Sequence, residues 1–368
     1  MLILNECNMT TTSTSVIKTL LIIFLVLAGL HFAKYFLMPL TVGAVIATLF
    51  LPLSKFLEKK DVPRVLSVFI CLVILLSALT IVGSLLGWQI SELLNDISLI
   101  KDRAIEAGNH IQEYIFSHFG ITLEKQTQIL KDEQPSVSGI MQILAGSLAS
   151  VLTNFVLTLV YIFGLLYYRD HINQFLLKLA PLSQRNEMQK VVSGVTHVSQ
   201  QYLLGLSKMI LCLWVMYGIG FSLLGVKNAL FFAVLCGLLE IVPFIGNITG
   251  TSITVLVAAI HGAGVPMLGG IVLVYGLVQF IQGWILEPLI LGPQVKLNPL
   301  FTIIALVVGE LVWGIPGIFL AIPITAMLKI VCDHIEPLKP YGFLIGEIET
   351  EKSELGFIKK LRSRYFKK

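Results

Sequence analysis

Between residues 229 and 331 the chain is almost free of charge. Glu240, Glu287, Lys296, Glu310 and Lys329 are the only Asp, Glu, Lys or Arg residues there. A carboxylate at membrane depth costs at least about 2.5 kcal/mol, so it normally faces a cavity, a water path or a partner. Glu240 and Glu310 are therefore candidate carriers of a proton or a cation. Glu287 is a third candidate, although its place just before Pro288 also suits a helix end in the headgroup layer. The structural alternative for all three is an interfacial position or a pairing role.

Two interruptions accompany these carboxylates. Gly237-x-x-Glu240-x-x-Pro243-x-x-Gly246 and Gly309-Glu310-x-x-x-Gly314-x-Pro316-Gly317 share an order of Gly, Glu and then a Pro/Gly break. Pro and Gly break or kink a helix. The backbone groups they free inside a membrane must be satisfied by protein or by a water-lined cavity. Transporters place solutes and ions at such breaks. Asn247, Thr249, Thr251 and Ser252 follow the first break, and Gln279, Gln282 and Asn298 lie between the two. The candidate site for a substrate or ion is thus Glu240, Pro243, Gly246, Asn247, Thr251, Gln279, Gln282, Glu287, Asn298, Glu310, Pro316 and Gly317. The competing reading is that Pro and Gly serve only close packing of membrane helices.

The elements that must position these residues follow from composition. The chain has 368 residues, 56% hydrophobic and 13% charged, with mean hydropathy +0.86. Soluble proteins carry about 25% charged residues, so too few charges remain here to cover a soluble surface. An all-α polytopic membrane protein is expected, and a soluble enzyme, a nucleic-acid binder and a disordered chain are excluded as classes. A span needs about 20 apolar residues. Stretches 16–34, 37–54, 65–88, 146–168, 209–225 and 264–286 meet that length approximately, with a turn expected at Lys34 to Pro39 and another at Gly225 to Asn228. Stretches 229–260 and 301–331 are each too long for one upright span, because a straight helix of that length would reach about 45–48 Å. About eight spans are expected, and the two broken stretches either cross the membrane or fold back.

Six regions result. Residues 1–15 form a Thr/Ser-rich tail, and 16–88 a scaffold of three spans. Residues 89–145 form an amphipathic segment with twelve charges, eight of them acidic. Residues 146–208 hold the fourth span and a second amphipathic segment. Residues 209–335 form the core with the broken helices, and 336–368 a basic tail. Positive charge gathers in 54–64, 169–208 and 359–368. The positive-inside rule then puts these regions and both termini in the cytoplasm and segment 89–145 outside.

Metal and nucleotide chemistry find no support. H-E-x-x-H, G-x-S-x-G and G-x-x-x-x-G-K-[ST] are absent. Five cysteines include no C-x-x-C pair. No cofactor, metal or catalytic residue is expected.

Three stretches carry a family resemblance: E-I-V-P-F-I-G (240–246), L-E-P-L-I-L-G-P-Q-V-K-L-N-P (286–299) and W-G-I-P-G-I-F-L-A-I-P (313–323). Through them the chain resembles the autoinducer-2 exporter family of bacterial permeases over about residues 16–335. The resemblance implies an eight-span inner-membrane transporter that assembles as a homo-oligomer, a pentamer being one form. It also implies movement of a small polar solute, or proton and cation exchange, driven by an ion gradient. An exporter of an organic solute, a sodium or lithium/proton antiporter and a membrane scaffold thus remain the readings to separate. A channel would need a longer polar stripe, and an intramembrane enzyme a nucleophile with its base.

Overall fold

The computed structural model describes residues 17–347 except 19, 23, 96–136, 244 and 291–295. The expected N-terminal tail 1–15 and residue 16, most of the acidic amphipathic segment, the centre of the 286–299 motif and the tail from 348 lie outside the described residues. Those described are helical, joined by turns, with one isolated bridge between Leu297 and Gly346. In chain order the helices are α1 (Leu20–Phe32), α2 (Lys34–Glu58), α3 (Arg64–Asn95), α4 (Val137–Tyr167), α5 (Arg169–Leu179), α6 (Arg185–Leu223), α7 (Ala229–Leu239), α8 (Ile245–Ile260), α9 (Val265–Ile290), α10 (Pro299–Trp313), α11 (Ile315–His334) and α12 (Lys339–Ile345).

By length and apolarity six helices among the described residues can cross a membrane: α2, α3, α4, α6, α9 and α11. Their outward faces are apolar, as in Trp88, Leu223 and Trp284, which are 69%, 82% and 75% exposed. Inside lie Ser54, Ser67, Ser199, Asn247, Thr251, Thr254, Gln282 and Glu240. Such a polar interior under an apolar coat is stable only where lipid replaces water outside.

Several boundaries differ from those read in the sequence. The turn before α2 is a single residue, Ala33, and Pro39 lies buried inside α2. The amphipathic stretch 169–208 divides at 180–184, and its second part runs without a break into the span that follows, as the 39-residue α6. The Gly225 to Asn228 turn is present, with positive φ at both residues.

The two long broken stretches fold back on themselves. In the first, a Cβ on Gly246 would lie 1.7 Å from the Leu239 carbonyl oxygen, and one on Gly250 would lie 3.1 Å from the Cα of Cys236. In the second, a Cβ on Gly317 would lie 1.9 Å from the Gly309 carbonyl oxygen. These pairings run in opposite senses along the chain, so α7–α8 and α10–α11 are antiparallel hairpins. The 11 residues of α7 reach about 16 Å and the 15 of α10 about 22 Å, both short of a core about 30 Å thick. The second turn is made by Gly314 alone, at φ 66° and ψ −142°. That backbone region is close to glycine-only.

Helix α6 is the central post. Leu213, Tyr217 and Phe221 are fully buried, and α6 packs against α2, α7, α9 and α11. A smaller apolar cluster joins α2, α3 and α4 through Ala47, Val68, Cys71, Ile162 and Leu166. A charged clamp closes one end of that cluster. Arg169 donates to both carboxylate oxygens of Glu58, by 2.8 Å from Nη1 to Oε1. Ser54 Oγ donates to Glu58 Oε1 at 3.0 Å. Arg64 pairs with Asp170 and donates to the Tyr167 carbonyl at 3.2 Å. The clamp fastens the end of α2, the start of α3 and the α4–α5 junction together.

Two predictions follow from packing and charge. Gly317→Val is expected to destabilise the protein by about 2 kcal/mol or more, because the added atoms meet backbone that cannot yield. Gly83→Ala, with open space around its Cβ, should be silent in the same thermal unfolding assay. Equal unfolding temperatures for the two variants would contradict the hairpin contact. The second concerns acid. The Arg64 guanidinium beside Asp170 holds that carboxyl below the usual carboxylate range. The pair's contribution is therefore complete above the ordinary Asp value of about 3.9 and is lost as pH falls through the lower, folded-state value. Asp170→Asn should lower stability at neutral pH and flatten the acid limb of a stability–pH curve, its difference from the wild type vanishing once pH has fallen below the folded-state value.

Candidate functional site

The first hairpin turn creates the site. Pro243 has no N–H, so α7 cannot continue through it, and the residue before a proline disfavours helical backbone. The turn closes through Val242 N–H to the Leu239 carbonyl at 2.9 Å and Gly246 N–H to the Val242 carbonyl at 3.0 Å. Glycine at 246 lets the start of α8 press on the end of α7. This geometry carries Glu240 inward rather than toward lipid, and it is 7% exposed.

Side chains from the neighbouring helices converge on that carboxylate. Gln282 Nε2 donates to Glu240 Oε1 at 2.6 Å. Gln279 Nε2 lies 3.2 Å from both Gln282 Oε1 and the Tyr217 hydroxyl oxygen, so one amide bridges α9 to α6. Gln279 and Gln282 share a face of α9 because residues three apart are neighbours on a helix. Directly from Gln282 to Leu286 the helix widens into a π-helical turn. Such turns often occur at functional positions.

The network is incomplete. Glu240 Oε2, Thr251 Oγ1 and Trp214 Nε1 are buried and have no hydrogen-bond partner among the described residues. Trp214 lies over Gly237, where an added Cβ would be 2.3 Å from its Cδ1. Deeper in the same hairpin, Cys236 Sγ and Thr254 Oγ1 are 3.9 Å apart. Buried polar atoms of native proteins are rarely left unpaired. A carboxylate with one oxygen held and the other free has the chemistry of a site for a proton, a cation or a solute donor.

The sequence-derived candidates divide into two groups. Glu240, Gln279 and Gln282 meet in one network, Asn247 and Thr251 are buried on α8 in the same hairpin, and Pro243 and Gly246 shape its turn. The rest serve elsewhere. Glu287 is exposed beyond the π-helical turn. Asn298 caps α10, its Oδ1 accepting from Leu300 N–H at 3.0 Å. Glu310 is exposed on α10. Pro316 starts α11, and Gly317 is packed on Gly309. Tyr217 and Trp214 were absent from the sequence candidates. Their signal was available: each places one polar atom within the apolar run 209–225. Among the described residues, no three His, Cys, Asp or Glu side chains cluster as metal ligands would.

Comparison with known proteins agrees with this architecture. Residues 20–336 match the family described as AI-2E family transporter. The chain belongs to the AI-2E transporter family. It is therefore a multi-pass bacterial membrane protein of a transport family. Among its relatives is the putative transport protein YhhT of Escherichia coli (strain K12), 26% identical over 343 residues, with 91% of this chain and 95% of that one covered. The putative transport protein YrrI of Bacillus subtilis (strain 168) is 24% identical over 317 residues, covering 82% and 87%. The AI-2 transport protein TqsA of Escherichia coli (strain K12) is 22% identical over 332 residues, covering 89% and 94%. Within this AI-2E protein, the interrupted helices identified from sequence contain the Glu240 network in one hairpin and the Gly309–Gly317 contact in the other.

Gln282→Leu tests the network directly. It leaves both Glu240 oxygens without a partner at unchanged volume, and should lower stability by about 1–3 kcal/mol. Adding Glu240→Leu should recover much of that loss, measured as unfolding of detergent-solubilised protein. A loss that persists in full in the double variant would show that Gln282 acts through packing alone.

Proposed function

We propose that this chain is a secondary transporter of the bacterial inner membrane that moves a small polar solute by alternating access, driven by an ion gradient coupled through Glu240. The observation that carries the reading is the half-satisfied carboxylate: Gln282 holds Oε1, and Oε2 is buried without a partner among the described residues. Proton or cation binding at Oε2 would change the charge of the hairpin turn, and with it the balance between conformations. Gln279, Tyr217, Asn247 and Thr251 would then supply hydrogen bonds to the solute. The α7–α8 hairpin, packed against α6 through Gly237 and Trp214, would be the part that rocks. The basic segments favour both termini in the cytoplasm. Assembly as a homo-oligomer, such as a pentamer, belongs to the same reading. The name of the relative TqsA makes autoinducer-2 one solute to try.

A second reading, a sodium or lithium/proton antiporter, draws on a separate feature. Glu240 Oε2 and Thr251 Oγ1, in one hairpin, both lack hydrogen-bond partners among the described residues, and hard monovalent cations take oxygen ligands.

The experiment uses purified protein in liposomes with an internal pH dye, under imposed sodium, lithium or potassium gradients. Cation-dependent proton flux is expected in the antiporter case, falling to background in Glu240→Gln and continuing in Glu310→Gln. Without such flux, a screen of small polar metabolites should find solute uptake driven by a proton gradient and lost in Glu240→Gln. Wild-type transport by folded Glu240→Gln protein would remove Glu240 from the mechanism.

A further inference from the structure

A second polar cavity lies well away from Glu240. It has a volume of about 500 Å³ and sits where α2, α4, α5 and the first turns of α6 meet. Its wall is apolar at Leu51, Leu166 and Leu176, and polar at Lys55, Arg169, Asn173, Gln189 and Gln200. On α6, Gln200 and Tyr217 are 17 positions apart, about 25 Å along the helix axis. The two polar regions are therefore separate.

Two buried atoms in this wall lack hydrogen-bond partners among the described residues: Arg169 Nε, a donor, and Asn173 Oδ1, an acceptor. Both sit on α5, four residues apart, hence on one face one turn apart. The other Arg169 nitrogens are used by Glu58 and Ser54, and Nε itself lies 3.8 Å from Asp170 Oδ1, beyond hydrogen-bond reach. Charges around the cavity nearly balance. Arg64 and Arg169 face Glu58 and Asp170, and Lys55 at the rim adds one positive charge beyond those pairs. An orphan donor beside one excess cation calls for a single negative charge. An orphan acceptor one turn away calls for a donor on the same molecule. The apolar wall calls for carbon between them.

We propose that this cavity binds a small hydroxylated organic monoanion. Its carboxylate is received by Arg169 Nε and Lys55, and one hydroxyl donates to Asn173 Oδ1. An inorganic anion offers no carbon to the apolar wall, and a simple fatty acid leaves Asn173 unpaired. A neutral polyol leaves the Lys55 charge unanswered. The site is independent of the role given to Glu240.

Binding of radiolabelled gluconate to the purified full-length protein tests this. Saturable binding is expected, with unlabelled gluconate competing at least about tenfold better than sorbitol, hexanoate or phosphate. That ratio corresponds to about 1.4 kcal/mol. Asn173→Leu and Lys55→Gln should each weaken binding about tenfold or more. The exposed Gln189→Leu gives a further variant on the cavity wall whose folding is not at stake, and it should weaken binding several-fold. Glu240→Gln should bind gluconate as the wild type does, even if it has lost transport. Absence of saturable binding overturns the proposal. So does equal competition by phosphate or hexanoate, or binding lost in Glu240→Gln but kept in Asn173→Leu and Gln189→Leu.

Discussion

The contact between Gln282 and Glu240 is the constraint around which the core is arranged. A carboxylate that reaches neither lipid headgroups nor bulk water must be met by protein. Meeting it takes three separate elements. The α7–α8 turn brings Glu240 inward, α9 supplies Gln282 and Gln279, and α6 supplies the Tyr217 hydroxyl that fixes Gln279. None of the three can shift alone without unpairing a buried polar atom, at a cost of about 1–3 kcal/mol. The network therefore couples the position of the hairpin to that of α9, and a change in the charge of Glu240 is felt by both.

Close backbone approach makes such a turn possible inside a membrane. Glycines at 237, 246, 250, 309 and 317 lie where a Cβ would strike a neighbouring helix. In lipid, helices gain little from hiding apolar surface, and small residues that allow tight packing take over that role. The hairpins are held by this packing, while Gly314 alone supplies the reversal in the second. The clamp of Glu58, Arg169, Arg64 and Asp170 uses the other available force, charge, at the opposite end of the scaffold.

Much of this was legible in the residues. Low charge identified a membrane protein, and the Pro243 and Gly314–Pro316 interruptions located both hairpin turns. Glu240, Gln279 and Gln282 stood out as polar groups in apolar surroundings, and they meet in space. Glu310 stood out by the same logic and lies elsewhere. Periodicity along one helix does not say which face meets a partner, and α10 turns that face outward. Pro39 illustrates a related limit: proline marks a turn only when the chain cannot absorb one missing hydrogen bond, and α2 absorbs it. The 39-residue α6 was divided in the reading because its amphipathic half and its apolar half differ in composition while sharing one backbone. The clamp and the cavity beside α5 depend on residues more than 100 positions apart, which no local pattern reveals.

Helix α6 relates the two polar regions to each other. Between Gln200, on the wall of the α5 cavity, and Tyr217, in the Glu240 network, it buries Leu203, Leu206, Met209 and Leu213. These side chains form a dry stretch against α2, α7 and α11, where a polar solute would lose its hydration without recovering hydrogen bonds. Passage along α6 thus requires that its neighbours separate from it. Separation of α7–α8 would disturb the Glu240 network directly, whereas movement of α2 would first strain the Glu58–Arg169 pairing and the 2.8 Å contact between Thr48 and Ser199. The scaffold is tied to α6 by a hydroxyl pair that carries no charge to change, and the hairpin is tied to α9 by a bond that depends on the state of Glu240. In the transport cycle proposed above, a charge change at that carboxyl would therefore act on the hairpin and leave the scaffold in place.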